Sequence, residues 1–248
     1  SGGWVTLTIG GSGQVWDGLG ADDNWQTLEN WNPDGTPAPY ALLTFAGETR
    51  LNPTNDYAAN TPFGGIAFDG TAGAFSLTGN TVNLVGDLVN ASTNLQVLGL
   101  PLVLDSGNRI FNAMSNGLTV SGVIGDGGNT NGIIKTGGYT LTLTGANTYG
   151  GAVFVGEGAV NIQNGFALGS TNAGTLVTNG AALRIQGGIA VTNEALTLHG
   201  TGITGGGALR NISGDNLYGG LITLGSTGVR INSDSGTLSL DVAAGSAV

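Results

Sequence analysis

Along most of the chain, apolar and polar residues alternate over three or four positions and then stop at a glycine or an asparagine. From residue 63 onward the unit is apolar, polar, apolar: Val82-Asn83-Leu84, Leu118-Thr119-Val120, Leu141-Thr142-Leu143, Val160-Asn161-Ile162, Leu183-Arg184-Ile185, Leu196-Thr197-Leu198, Val229-Arg230-Ile231 and Leu238-Ser239-Leu240. A period of two puts the apolar side chains on one face of a short strand and the polar ones on the other. Between these strands lie Gly79-Asn80, Asn116-Gly117, Asn164-Gly165 and Asn179-Gly180, residue pairs that tolerate the backbone of tight corners.

Short strands with frequent corners fit either a hairpin-based sandwich or barrel, or a coil of stacked rungs. Spacing decides between them. The steps from Leu118 to Leu141, from Leu141 to Val160 and from Val160 to Leu183 are similar in length, and quasi-periods of roughly 20 to 25 residues mark solenoids. The pattern predicts an all-β fold, a parallel β-helix (β-solenoid), right-handed by the bias of parallel crossovers. About eight rungs at the strand spacing would make a rod roughly 40 Å long. The step from Leu183 to Leu196 is much shorter, which requires either an insertion or more than one strand per rung. Asparagines at equivalent corners are expected to form amide ladders, as stacked identical side chains do.

The first part of the chain differs. Residues 1–62 hold all four tryptophans (Trp4, Trp16, Trp25, Trp31) and five of the six prolines. This predicts an irregular Trp/Pro-rich N-terminal cap or lead-in over residues 1–62, followed by rungs over 63–248. A first rung exposes strand edges and an open core, and aromatic rings cover both. Stacking of the tryptophans on sugar rings is the alternative.

Composition narrows the function. Glycine makes up 48 of 248 residues while hydrophobic residues reach 40%, so the chain has a core and is not a low-hydrophobicity disordered segment. A net charge of −10 argues against nucleic acid, whose phosphates need basic partners, and against anionic membrane surfaces. No run approaches a membrane span of about 20 apolar residues. With no cysteine, stability is expected from stacking alone. The abrupt ends, Ser1-Gly2-Gly3 and Ala243-Ala244-Gly245-Ser246-Ala247-Val248, lead us to expect a piece of a longer polypeptide.

Residues 132–160 carry a specific string: Lys135, Gly137, the stretch Thr140-Leu141-Thr142-Leu143-Thr144-Gly145, Asn147-Thr148-Tyr149 and Gly150-Gly151. It resembles the autotransporter-associated β-strand repeat, also called the passenger-associated transport repeat, with Tyr139 standing where the family usually has glycine. The resemblance implies a secreted or cell-surface bacterial protein whose stacked rungs serve export and rod formation rather than a reaction. The segment Trp16-Asp17-Gly18-Leu19-Gly20-Ala21-Asp22-Asp23-Asn24-Trp25 is similar to the start of such surface proteins. Lys135 belongs to the repeat and is expected to point outward.

Candidate chemistry is sparse. Asp17, Asp22, Asp23 and Asn24 cluster hard oxygens in one short stretch, a candidate calcium loop, but their spacing matches no established calcium ladder, and Asx turns are the favoured reading. Otherwise no cofactor is expected. Asp69, Asp87, Asp105 and Asp126 recur at nearly even intervals and would stack into an acidic stripe. His199, the single histidine, is expected at a strand end without a role. The reading is a non-enzymatic structural or adhesive solenoid; a carbohydrate-binding or polysaccharide-cleaving β-helix is the alternative. Expected partners are the rest of a longer surface protein, surface glycans, or a second copy of the chain. For head-to-tail or lateral assembly the edges would be Val5, Leu7 and Ile9 at one end and Leu238, Leu240 and Val242 at the other.

Overall fold

The structure, a computed structural model, describes residues 13–241. The short alternating segments form strands that stack in parallel. One sheet contains, in order, Gln14–Trp16, Leu42–Phe45, Thr61–Phe68, Val82–Asn90, Arg109–Ala113, Ile133–Thr136, Val153–Val155, Thr175–Val177, Leu196–Leu198 and Ile222–Leu224. A second sheet runs alongside it with nine strands, from Thr54–Asn55 through Ser76–Gly79, Gln96–Leu98, Leu118–Val120, Thr140–Leu143, Ala159–Ile162, Ala182–Gln186 and Leu209–Ser213 to Ile231–Ser233. Those nine strands mark nine rungs of a β-solenoid.

The third face is discontinuous. Near the N-terminal end, residues 61–63 pair with 82–84, and these pair with Leu102–Leu104, which pairs with Ile124–Gly125. Near the other end Ala190–Val191, Asn216–Tyr218 and Leu238–Leu240 stack. Between them the chain crosses this face in loops.

The expected spacings are the register of the second sheet. Leu118 pairs with Leu141, Leu141 with Val160 and Val160 with Leu183. The short step from Leu183 to Leu196 follows from several strands per rung: Leu183 pairs with Leu209 in the second sheet, whereas Leu196 pairs with Thr175 and Ile222 in the first. The triplets therefore recur within a rung as well as between rungs.

Alternation fills the interior. Leu43, Ile66, Leu88, Phe111, Val155, Val177 and Leu198 form one inward row of the first sheet, all fully buried. Leu77, Leu98, Val120, Leu143, Ile162 and Ile185 form another in the second. Each such side chain contributes about 1.5–3 kcal/mol by leaving water.

The N-terminal end is closed. Trp16, Trp25 and Trp31 are fully buried; Trp4 lies outside the described residues. Trp16 and Trp31 meet edge to face at 5.3 Å, and Phe45 lies at the centre, with Trp16, Trp25, Trp31, Phe68 and Phe75 all within 6.0 Å, centroid to centroid. The two-residue strand Trp31–Asn32 runs antiparallel to Gln14–Trp16 and covers its free edge, while every other strand pair among the described residues is parallel.

The other end is open among the described residues. The inward row that is buried as far as Leu198 becomes 61% exposed at Leu224, and Leu240 of the last strand is 46% exposed. Among the described residues, Leu238 and Leu240 sit on a strand paired on one side only, with Asn216–Tyr218. Val5, Leu7, Ile9 and Val242 lie outside the described residues.

The corner asparagines do not form amide ladders. Asn90 accepts from Ser92 N at 2.9 Å and donates to Gly117 O at 2.9 Å, and Asn55 accepts from Tyr57 N and donates to Asn80 O. Each amide replaces backbone bonds where a strand stops, because the buried corner must satisfy its own carbonyls and amides first. Asn216 donates to Asn211 Oδ1 within the same rung, which is a corner contact and not a ladder between rungs.

Candidate functional site

Residues 132–160 form slightly more than one rung, and the repeat residues are the ones that lock it to its neighbours. Leu141 and Leu143 are buried in the second sheet. Gly137 adopts φ +77°, where a Cβ would collide with the Ala113 carbonyl of the preceding rung. Gly145 and Gly151 allow similarly close approaches, to Gly122 and to Asn131-Gly132. Asn147 bridges rungs: its Oδ1 accepts from Ile124 N at 2.9 Å and its Nδ2 donates to Ala167 O at 2.7 Å. Tyr149 is buried, its hydroxyl donating to Ala167 O, and Gly150 N donates to Asp126 Oδ2 at 2.8 Å. Tyr139, the departure from the family pattern, is half exposed, so its ring costs the corner nothing.

Lys135 overturns the outward expectation. It occupies the inward row between Phe111 and Val155 and is fully buried. Its Nζ donates to Thr136 O (2.6 Å), Gly137 O (2.7 Å) and Glu157 O (3.1 Å), one acceptor for each ammonium proton. The physical reason is the corner: the strand ends at Thr136, leaving carbonyls that need donors, and a long side chain reaches them from inside. Burial lowers its pKa to about 8, with the Glu157 carboxylate drawing it back up.

Glu194 is a buried acid that the alternation did not flag. It is 3% exposed. Its Oε1 accepts from Thr175 Oγ1 at 2.9 Å, while its Oε2 has no partner among the described residues. Burial raises its pKa to about 7, partly offset by the Thr175 bond. It lies close enough to Tyr149 and Tyr218 to add to the rise that burial imposes on both phenols. The sequence signal was weak: one Glu before Ala195-Leu196, at the point where the rung returns to the first sheet.

The Asp-rich loop is occupied by its own turns. Asp17 Oδ1 accepts from Leu19 N. Asp22 accepts from Thr27 Oγ1 (2.6 Å), Asn24 N and Asn24 Nδ2, bonds that hold its carboxyl below the usual range. Asp23 pairs with Arg50 at 3.1 Å. Among the described residues no three His, Asp or Glu side chains converge as a metal-binding group.

The acidic stripe does not form. Asp69 follows Phe68, which pairs with Asn90. Asp87 sits beside Gly65 and accepts from Ile110 N. Asp105 bonds Asn83, and Asp126 is buried at a corner with its oxygens on Gly128 N and Gly150 N. The interval between these aspartates is shorter than a rung, so each carboxylate drifts around the coil. A groove of about 400 Å³ on the third face is lined by Pro101, Val103, Val123, Gly125 and Thr148, with the Asp126 corner at its rim. His199 follows strand Leu196–Leu198, as expected, with Gly225 against its ring.

No family model matches the chain, and no solved structure matches it. Among curated proteins it is 30% identical over 199 residues to "Adhesin BmaC autotransporter" of Brucella suis biovar 1 (strain 1330). The match covers 77% of this chain, which spans about 5% of that protein's length. The chain is thus similar to part of an autotransporter adhesin, and its fold is the stacked β-solenoid that the repeat at 132–160 implies.

Proposed function

We propose that this chain is a non-enzymatic adhesive rod segment of a bacterial surface protein. The observation that carries it is the uninterrupted stack of nine rungs, similar in sequence to part of an autotransporter adhesin. Such a stack converts chain length into reach and repeats an outward polar surface at every rung. The candidate carboxylates lie at turns and corners instead of facing one another across a cleft, which favours binding over cleavage. No helix among the described residues is long and apolar enough to cross a membrane.

The finer part of the proposal is end-to-end assembly. The open edge at Leu238–Leu240 and the exposed Leu224 offer strand and core to another segment. The cap at Trp16, Trp25 and Trp31 makes the opposite end a poor acceptor, so a donor would come from the stretch containing Val5, Leu7 and Ile9.

The test is display of the full chain on a non-adherent bacterium. Attachment to cultured epithelial cells above that of the parent strain supports the adhesive reading; attachment equal to the parent refutes it. Electron microscopy of the purified chain tests assembly: filaments of uniform width support it, and monomers at high concentration refute it.

A further inference from the structure

The chain carries six basic residues against 16 acidic ones, yet three of the six lie together on the outer face of the second sheet. Arg184 and Arg210 are in register on adjacent strands, so their backbones are about 4.8 Å apart. Arg230 sits on the next rung, two residues before Asn232, which is in register with Arg210. Among the described residues one carboxylate serves this group: Asp234 takes Arg210 through both oxygens, at 2.8 and 3.0 Å from Nε and 2.7 Å from Nη2. Arg184 has no carboxylate of the described residues within ion-pair distance. Its Nη1 makes one 3.3 Å bond to Thr140 Oγ1, and its buried Nε has no acceptor among those residues. Arg230 makes a 3.4 Å bond to Asn232 Oδ1. Three guanidiniums and one carboxylate leave a local excess of positive charge on a chain of net −10.

Arginines are the side chains suited to planar oxyanions, which they grip with two parallel donors. Around Arg184 the face is made of amides and hydroxyls: Asn161 and Gln163 both donate to Gln186 Oε1, at 3.2 and 3.1 Å, and Thr140 lies beyond. Such groups bond sugar hydroxyls. We propose that this face binds an anionic polysaccharide, with Arg184 and Arg230 holding its carboxylate or sulfate groups and the neighbouring amides its hydroxyls. Duplex nucleic acid fits poorly, because it needs a broad basic surface and the rest of this chain is acidic. The inference rests on the adhesive reading and supplies its ligand class.

The test is binding of the purified full chain to heparin and to hyaluronate, with neutral dextran, a DNA duplex and poly-glutamate as comparisons. The expected result is binding to heparin, hyaluronate or both, weakened by added salt, with none to dextran. Heparin alone identifies a sulfate site and hyaluronate alone a carboxylate site. R230Q changes an exposed side chain and R184Q a half-buried one; each should weaken binding about tenfold, the value of one charge-assisted hydrogen bond, with R230Q leaving the melting temperature unchanged. Three results overturn the proposal: no binding to either glycan, binding by R230Q and R184Q as tight as that of the wild type, or binding of DNA or poly-glutamate as tight as that of the glycans. Displayed cells that adhere equally well with R184Q/R230Q would leave the adhesive reading standing and remove the glycan site alone.

Discussion

Lys135 is in register with Phe111 of the preceding rung, placing an ammonium in a row that is otherwise filled by hydrocarbon. Three carbonyls at one corner account for it. The lysine of the repeat is therefore a clamp on the turn between the first and second sheets, and its charge has consequences for stability.

Lys135 has a pKa lowered to about 8 in the fold from an ordinary value of 10.5. Its contribution is fully present above pH 10.5 and is lost as pH falls through about 8. Stability should rise across that window in the wild type. K135M should remove the rise while changing stability at neutral pH by less than about 2 kcal/mol, because apolar replacement of a buried charge is often neutral. Urea titrations from neutral pH to the top of that window check both statements.

Glu194 has the opposite sign. Its pKa is raised from 4.5 to about 7, so its contribution is full below pH 4.5 and is lost as pH rises through about 7. Among the described residues no ion pair reaches it; Thr175 bonds it, and Tyr149 and Tyr218 lie near. E194Q should flatten the stability profile across that window, measured by thermal unfolding at several pH values. A profile unchanged by E194Q would mean the carboxyl ionises freely in the fold.

Phe45 packs against five aromatic rings, Trp16, Trp25 and Trp31 together with Phe68 and Phe75 of the adjoining rung. F45A should cost about 3–5 kcal/mol, the range for a large ring deleted from a packed core. Fluorescence of the neighbouring tryptophans should shift to the red as water enters.

Gly137 sits at φ +77° against the Ala113 carbonyl. G137A should destabilise by about 2 kcal/mol or more, combining the left-handed backbone with the clash. G138A, one position on and with open space at its Cβ, is the matched control and should cost little. Chemical denaturation of the pair separates the two.

Much of this architecture was legible in the triplets. Leu118, Leu141, Val160 and Leu183 gave the rung spacing directly, because inward residues in a parallel stack repeat once per turn. The burial of Trp16, Trp25 and Trp31 was legible because large aromatic rings clustered in one short stretch favour the interior. What failed depended on register. Asp69, Asp87, Asp105 and Asp126 looked periodic, but their period was not that of a rung. Lys135 follows Ile133-Ile134 and shares the inward side with Ile133; its charge, not its position, suggested the surface. Arg184 and Arg210 are one rung apart, and the Ile203–Gly205 turn lengthens that rung, so their pairing appears only when the strands are aligned.

The adhesive claim is tested most directly by single-molecule force measurement, with the purified chain tethered to a probe and brought against a cultured cell surface. The account predicts rupture events well above those of a bare probe, abolished by excess soluble chain. Rupture at the frequency of the bare probe, or rupture that soluble chain does not compete away, would contradict it.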